Sequence, residues 1–575
     1  MADLPLRASR ASIRTPSAEF PLMAGSTLIL VYLAVVPVGT MLYASFHTGF
    51  LSADAHWSLA NYARAFGDPA FYRLLGSTLV YGGGVALLAL AAGFGLAFLY
   101  VRTDAPLRAL GMTTAIVPLI VPGILNTVAW LFLASPRIGI LNAVADALVH
   151  VRPFNVYSLP GMIFVQAMHV APTAFIMAVA TFTAMDPSME EAAVASGAPN
   201  LVAFRRITLA LARPAIVAAG LLVFVQTIAS FEVPQLIGVP ANVSVFTTQI
   251  YGMLQAFPPD YGGAAAMGGV VLVIAAAGVA FVNRLNRSGR TATVTGKAFR
   301  PRRIELGAMR PFAGGAIALF FFIAVVLPLA VLLWTSLLPG FEAPSLAALG
   351  HLGFTNYVKM WDYPLIRESL VNSAITSVSA GAIVTVLTAI VAYVTLKSRV
   401  PGVWLVDVLV SLPIAVPSIL MGVGILFWYL VAPLPFHLYG TLALLIVGFV
   451  TIGIPYGMRY ATSGLAQIRD ELEEAAAVSG ADWLTRFMRI YVPLLMPSLI
   501  AAFLTTVIVA FREISAAIFL YSQGTEVVAV AIFDLWSNGQ YPAIAALGCV
   551  LVALLLALVA LVQKLGGRIG IGGAA

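Results

Sequence analysis

Apolar runs of twenty or more residues alternate with short polar segments along the whole chain, and the alternation starts over halfway through. A helix rises about 1.5 Å per residue and bilayer hydrocarbon is about 30 Å thick, so about 20 predominantly apolar residues make one crossing. About twelve segments meet this test: near 21–46, 76–101, 111–135, 154–185, 214–235 and 261–282, then near 311–336, 370–396, 408–431, 438–458, 496–520 and 541–563. The pattern predicts an all-α integral membrane protein of about twelve transmembrane helices. Pro118 and Pro122 in the third run, and Pro413 and Pro417 in the ninth, predict kinks there.

The polar segments repeat as well. "EEAAVASGAPNLVAFRRITL" begins at Glu190 and "EEAAAVSGADWLTRFMRIYV" at Glu473. "NYARAFGDP" at Asn61 returns as "NYVKMWDYP" at Asn356, and "PLIVPGIL" at Pro118 returns as "PIAVPSIL" at Pro413, both displaced by 295 residues. One displacement shared by two separate motifs indicates duplication. The chain divides into a tail (1–20), a first half (21–283), a basic linker (284–310) and a second half (311–575). Six crossings per half bring each half back to its starting side, so the repeats are parallel.

Composition supports the membrane reading and removes others. Of 575 residues 61% are hydrophobic and 10% charged, against roughly 25% charged in a soluble domain. No polar stretch is long enough for a soluble catalytic domain. The single cysteine, Cys549, excludes an intrachain disulfide and reads as packing. The net charge of +7 falls mostly in short segments between apolar runs, an orientation signal rather than a nucleic-acid surface. Arg7, Arg10 and Arg14 precede an apolar stretch too long for a signal peptide, so the tail reads as cytoplasmic. With that end inside, the basic segments 102–108, 186–213, 284–310, 397–399, 459–489 and the C-terminal tail are also inside. The loops after Gln235 and Tyr521, which lack Lys and Arg, are outside. The linker's "TGKAF" is not a phosphate loop, because Thr291 and Ala298 stand where glycine and a hydroxyl residue are required.

Each copy of the repeated paragraph predicts a helix–turn–helix. Asp186 followed by Pro187 starts the first helix, and Asp470 with Glu473 gives a capping-box pattern in the second copy. Gly197 and Gly480 supply the left-handed residue that ends a helix. Leu201, Phe204, Ile207 and Leu211, and likewise Leu484, Phe487, Ile490 and Leu494, recur at helical spacing. Two such knobs in symmetry-related places suit a symmetric dimeric partner.

These residues resemble the cytoplasmic loop of binding-protein-dependent ABC importer permeases: Glu-Ala-Ala, three residues, Gly, nine residues, then Ile-x-Leu-Pro. Glu191, Ala192, Ala193, Gly197, Ile207 and Leu209 fit in the first copy, with Ala210 in the proline place. Glu474, Ala475, Ala476, Gly480, Ile490 and Pro493 fit in the second, with Val492 in the leucine place. A single chain with two halves resembles the ferric-iron type, with thiamine and 2-aminoethylphosphonate permeases sharing the layout. The resemblance implies that the loops 186–213 and 470–497, which include Glu190 and Glu473, dock as coupling helices on a homodimeric ATPase, with Glu191 and Glu474 making charged contacts to it. It further implies that ATP and Mg bind to that partner and not to this chain, and that a periplasmic binding protein delivers the cargo. The chain is then a non-enzymatic subunit of a bacterial inner membrane, with both termini cytoplasmic. Ferric iron ranks first as cargo on the resemblance alone; 2-aminoethylphosphonate, thiamine and a polyamine stay open.

Charges within a span are costly and mark functional candidates. Glu232, Arg512 and Glu513 are three, at comparable places in the fifth and eleventh runs. Two readings remain: a polar lining or outer gate of the pathway, or a buried ion pair that fixes helix register. His169 reads as a hydrogen-bonded packing residue, since no second His or Cys stands near it at metal-ligand spacing. An ion-coupled secondary transporter would need coupling carboxylates in its spans and no ATPase dock. An intramembrane enzyme would need a metal or paired-aspartate motif, and none is visible.

Overall fold

The computed structural model describes residues 19–52, 54–186, 188–288, 303–397, 402–435 and 437–568. The expectations for the basic tail, Pro187, Arg399 and most of the linker, "TGKAF" included, lie outside these residues. Within them the chain is all-α, apart from a two-stranded ribbon pairing His47–Thr48 with His56–Trp57.

The first half runs α1 (Phe20–Ser45), α2 (Ala60–Gly67), α3 (Pro69–Arg102), α4 (Arg108–Ile120), α5 (Gly123–Ala134), α6 (Ile140–Val149), α7 (Leu159–Ala184), α8 (Ser188–Ala195), α9 (Phe204–Ile228), α10 (Phe246–Gln255) and α11 (Tyr261–Ser288). The second half repeats the order with α12 (Gly307–Ser336), α13 (Pro364–Lys397), α14 (Val403–Ala415), α15 (Ser418–Val431), α16 (Leu442–Leu465), α17 (Asp470–Val478), α18 (Trp483–Arg512), α19 (Val528–Ser537) and α20 (Tyr541–Arg568). Among the described residues ten helices are long and apolar enough to cross a membrane, and two bent pairs bring the number to twelve.

The bent pairs depart from the expected kinks. Between α4 and α5, and between α14 and α15, the axis turns by 106°. Pro122 and Pro417 have no N–H to offer the preceding turn, so the ladder ends there and the second helix starts in a new direction. All twelve residues of α5 are buried, Asn126 and Thr127 among them. A second departure concerns the segments expected as outer loops after Gln235 and Tyr521. They contain α10 and α19, whose apolar faces are buried (Phe246 and Ile250; Val528, Ile532 and Leu535). At about ten residues each, these helices are too short for a crossing test to detect.

The repeated Asn-Tyr pair secures the end of each leading helix. Asn61 donates to the carbonyls of Ser45 and His47 at 3.1 and 3.0 Å, and Asn356 donates to those of Ser336 and Leu338 at 2.9 and 2.6 Å. Tyr62 donates to Ser45 at 3.0 Å, and Tyr357 pairs with Ser336 at 2.8 Å. These bonds satisfy carbonyls that the last helical turn leaves open.

Within each half, α3, α7 and α9, or α13, α16 and α18, pack together as a core. The leading helices cross over: α1 packs on α14 and α15 of the second half, and α12 packs on α4 and α5 of the first. Gly424 of α15 lies so near Pro37 of α1 that a Cβ would be 2.3 Å from the Pro37 oxygen. Tyr32 and Tyr429 join hydroxyls at 2.7 Å across the same seam. On the other side Phe132 of α5 lies 4.9 Å from the ring of Phe341.

Where the linker rejoins, the Ile304 N–H donates to the Arg102 carbonyl at 2.8 Å, and Arg310 of α12 reaches Asp104 at 3.7 Å. The Arg102 side chain in turn holds Glu190 of α8. The second half therefore begins at the end of the bundle that carries α8. Since both halves have the same element order, α17 lies at that end too.

Candidate coupling surface and pathway cluster

In the first copy Asp186 accepts from the Ser188 N–H at 2.9 Å, so α8 starts as expected. It ends in a left-handed Gly197 (φ +88°), with Ala198 N–H on Ala193 C=O at 3.0 Å and Gly197 N–H on Val194 C=O at 2.9 Å. In α17 the matching residue is Gly480 (φ +83°), and Ala481 N–H bonds Ala476 C=O at 3.0 Å. Around both glycines lies open space, so their conformation and not crowding requires glycine.

Asp470 does not act as the expected cap. It is the first residue of α17, and its carboxylate takes a hydrogen bond from Lys397 at the end of α13. Nor is the paragraph a separate helix–turn–helix. The second helix runs straight into the next span through a π-turn, Phe204–Thr208 in one copy and Phe487–Tyr491 in the other. A π-turn adds a residue to the winding and rotates everything beyond it. The inward face is consequently Ala203, Thr208 and Ala212, or Phe487, Tyr491 and Leu495, while Leu484 and Leu494 are exposed. Leu201's side chain lies outside the described ones. Asp482 caps this second helix, accepting from Thr485 N–H at 3.0 Å. Hydrogen bonds from the Thr485 side chain and backbone hold its carboxyl below the usual carboxylate range.

Glu190 and Glu473 turn inward. Glu190 binds Arg102, only 1% exposed, and accepts from Thr208 at 2.6 Å. Glu473 accepts from Tyr393 and Arg486, both at 3.1 Å, and from Tyr491. These pins, which sequence reasoning missed, tie α8 to the ends of α3 and α9, and α17 to those of α13 and α18. The sequence signal is partial: Arg102, which holds Glu190, and Lys397, which holds Asp470, share the 295-residue displacement. The next carboxylates, Glu191 and Glu474, are exposed, as are Ala192, Ala475 and the apolar Met189, Val194, Leu472 and Val478. Ala193, Ala476, Ile207 and Ile490 are half-buried beneath them, and Pro493 is exposed.

The three charged pathway candidates lie at chain breaks rather than inside the spans: α9 ends at Ile228, four residues before Glu232, and Arg512 is the last residue of α18. Glu232 lies against Gly123, the first residue of α5. A Cβ on Gly123 would be 2.1 Å from the Glu232 Oε1 atom and 3.3 Å from His169 Nε2. Glu513 accepts from the Ala516 N–H at 3.0 Å and lies near Ser418, the first residue of α15. Each bent pair therefore presents the start of its second helix to one carboxylate. Arg512 instead crosses the seam and donates to the carbonyl of Leu119 in α4. His169 Nδ1 has no partner among the described residues, so the expected packing hydrogen bond is missing there.

Residues 385–569 match the family of binding-protein-dependent transport system inner membrane components. The chain carries that match in the second of its two repeated halves. In particular it is 26% identical over 544 residues to the ferric transport system permease protein FbpB of Actinobacillus pleuropneumoniae, covering 92% of this chain and 76% of that one. It is 29% identical over 267 residues to the putative 2-aminoethylphosphonate transport system permease protein PhnV of Salmonella paratyphi A, covering 45% of this chain and 96% of that one. A crystal structure of a bacterial ABC transporter involved in alginate import aligns over 47% of this chain and 96% of that one, at 19% identity and a TM-score of 0.40.

Proposed function

We propose that this chain forms the translocation pathway of an ATP-driven importer in a bacterial inner membrane. The observation that carries the reading is the pair α8 and α17: two pinned helices of one geometry, at one end of the bundle, each presenting small and apolar side chains outward. An exposed apolar patch next to a polar rim suits a protein partner. Here that partner is a homodimeric ATPase, which binds ATP and Mg and takes one helix into a groove on each subunit. Its side is the cytoplasm, where the basic loops and both termini lie. A periplasmic binding protein delivers cargo at the opposite end. No cofactor belongs to this chain.

Ferric iron is the first cargo, supported by a ferric permease relative alignable over 92% of this chain. 2-Aminoethylphosphonate is the second, supported by a relative whose near-full length matches one half's worth of sequence. The test is uptake into proteoliposomes holding the chain, its cognate ATPase and binding protein, with labelled ferric iron, 2-aminoethylphosphonate or thiamine. ATP-dependent accumulation of one of them is expected. Uptake driven by a proton gradient without the ATPase would refute the importer reading.

A further inference from the structure

Arg512 is placed at the meeting of the two halves with a main-chain carbonyl as its acceptor, and among the described residues no carboxylate lies within ion-pairing distance of it. Leu119 belongs to the last turn of α4, whose carbonyls lose their intrahelical donors when the chain turns at Pro122. A guanidinium held this way at membrane depth keeps its charge unneutralised by direct contact, an arrangement that favours an anionic visitor.

Its surroundings point the same way. Gly123, Asn126 and Trp130 recur at spacings of three and four on α5, so they share one face. Gln166 and His169 are three apart on α7, and Glu232 and Gln235 three apart in the segment after α9. The three segments pack on one another. Along these faces the Asn126 Nδ2, Trp130 Nε1, His169 Nδ1, Gln166 Oε1 and Gln235 Oε1 atoms are buried without a hydrogen-bond partner among the described residues, as is Arg512 Nε. Asn126, Trp130 and Gln166 are at most 5% exposed. An unpartnered buried polar atom costs about 1–3 kcal/mol, so five of them on three mutually packed segments, with Arg512 Nε as a sixth, leave donors and acceptors for a ligand to satisfy. Three of the six are obligate donors and His169 Nδ1 becomes a fourth in the suitable tautomer, which is the inventory an oxyanion needs.

We propose that Arg512, with Asn126, Trp130 and His169, forms an oxyanion subsite in the pathway at the interface of the two halves, occupied in passing by a phosphonate, phosphate or carboxylate group of the cargo. Glu232 and Glu513, beside the starts of α5 and α15, lie where they receive the cationic part of such a cargo, an ammonium group or a metal ion carried with its anion. A bare ferric ion would meet like charge at Arg512, and among the described residues no group of three His, Cys, Asp or Glu side chains is placed to hold a metal. The site's chemistry therefore selects an anionic or zwitterionic cargo, or iron travelling with an anion. This inference rests on the importer reading above.

The test compares wild type, Arg512→Gln and Arg512→Lys in proteoliposomes with the cognate ATPase and binding protein. The cargoes are 2-aminoethylphosphonate, ferric iron with inorganic phosphate, and ferric iron with citrate. Co-purification of the ATPase and its stimulation by the binding protein are recorded for each variant. The expected result is an uptake loss of tenfold or more in the Gln variant, with a raised KM and unaltered ATPase recruitment, and substantial retention in the Lys variant. The arm that shows this loss identifies the source of the oxyanion, a free phosphonate or the anion accompanying iron. Equal uptake by wild type and Gln variant in every arm would overturn the subsite. So would equal losses in the Gln and Lys variants with a rise in ATP hydrolysis without binding protein, which would make Arg512 only a latch on Leu119. If the ATPase fails to join even the wild-type chain, it is the importer reading that fails.

Discussion

At the scale of single residues, α8 and α17 separate two jobs that adjacent glutamates perform. Glu473 binds Tyr393, Arg486 and Tyr491, while Glu474 faces outward. Glu473→Ala strips a half-buried arginine of its partner, a change that costs about 3 kcal/mol. Hydrogen exchange across Asp470–Val478 should accelerate accordingly. Glu474→Ala should leave that exchange unchanged within about 0.5 kcal/mol and instead weaken recovery of the ATPase in pull-down. A second prediction concerns Gly123, where an added methyl would coincide with the Glu232 carboxylate. Gly123→Ala should abolish uptake and lower stability by about 1–3 kcal/mol, and adding Glu232→Ala should recover the lost stability in a thermal melt. Gly197, Gly480 and the helix start at Asp186 were legible because their chemistry is local: a left-handed turn and a helix start are decided within a few residues. The pins and the Arg512 cluster were not, because Arg102 meets Glu190, and Arg512 meets Leu119, only through folding.

At the scale of elements, the π-turns shift which residues of the paragraph face inward. Periodicity assumes 3.6 residues per turn throughout, and one wider turn moves Leu494 outward and Leu495 inward. The bent pairs were legible as proline positions but not as a 106° turn, since the same prolines serve a mild kink or a full break. Helix ends also carry a pH signature. Asp482 binds Thr485 in its ionised form, so its folded pKa is lowered and the cap contributes wherever the carboxylate is charged. That contribution is complete above the ordinary carboxylate range and disappears as pH falls through the lowered value. Exchange at the start of α18, corrected for intrinsic rate, should accelerate in that acid window in wild type and show no such step in Asp482→Asn. Gly197→Arg with Gly480→Arg tests the loops themselves. Both sites have left-handed backbone and open surroundings, so the double variant should insert in the membrane yet lose the ATPase in pull-down. Retention of the ATPase would sink the coupling assignment.

At the scale of the whole molecule, the duplication was plain in sequence, but the exchange of leading helices was not, because nothing in α1 distinguishes a groove on its own half from one on the other. The crossed packing means that neither half alone covers its bent helix completely: α15 also needs α1, and α5 also needs α12. Cutting the chain within 289–302 and expressing both pieces together should therefore yield fragments that co-purify in detergent, whereas either alone should aggregate or degrade. The exchange also sets a timetable for synthesis. The groove for α1 is not translated until α15, roughly 370 residues after α1 is complete. At about 5–20 residues per second, the first helix waits in the bilayer for about 20–70 s with its seam residues Tyr32 and Pro37 facing lipid or a chaperoning insertase. Assembly of this chain thus ends where its synthesis began, and a ribosome stalled between α11 and α13 leaves α1 docked on α11 of its own half alone.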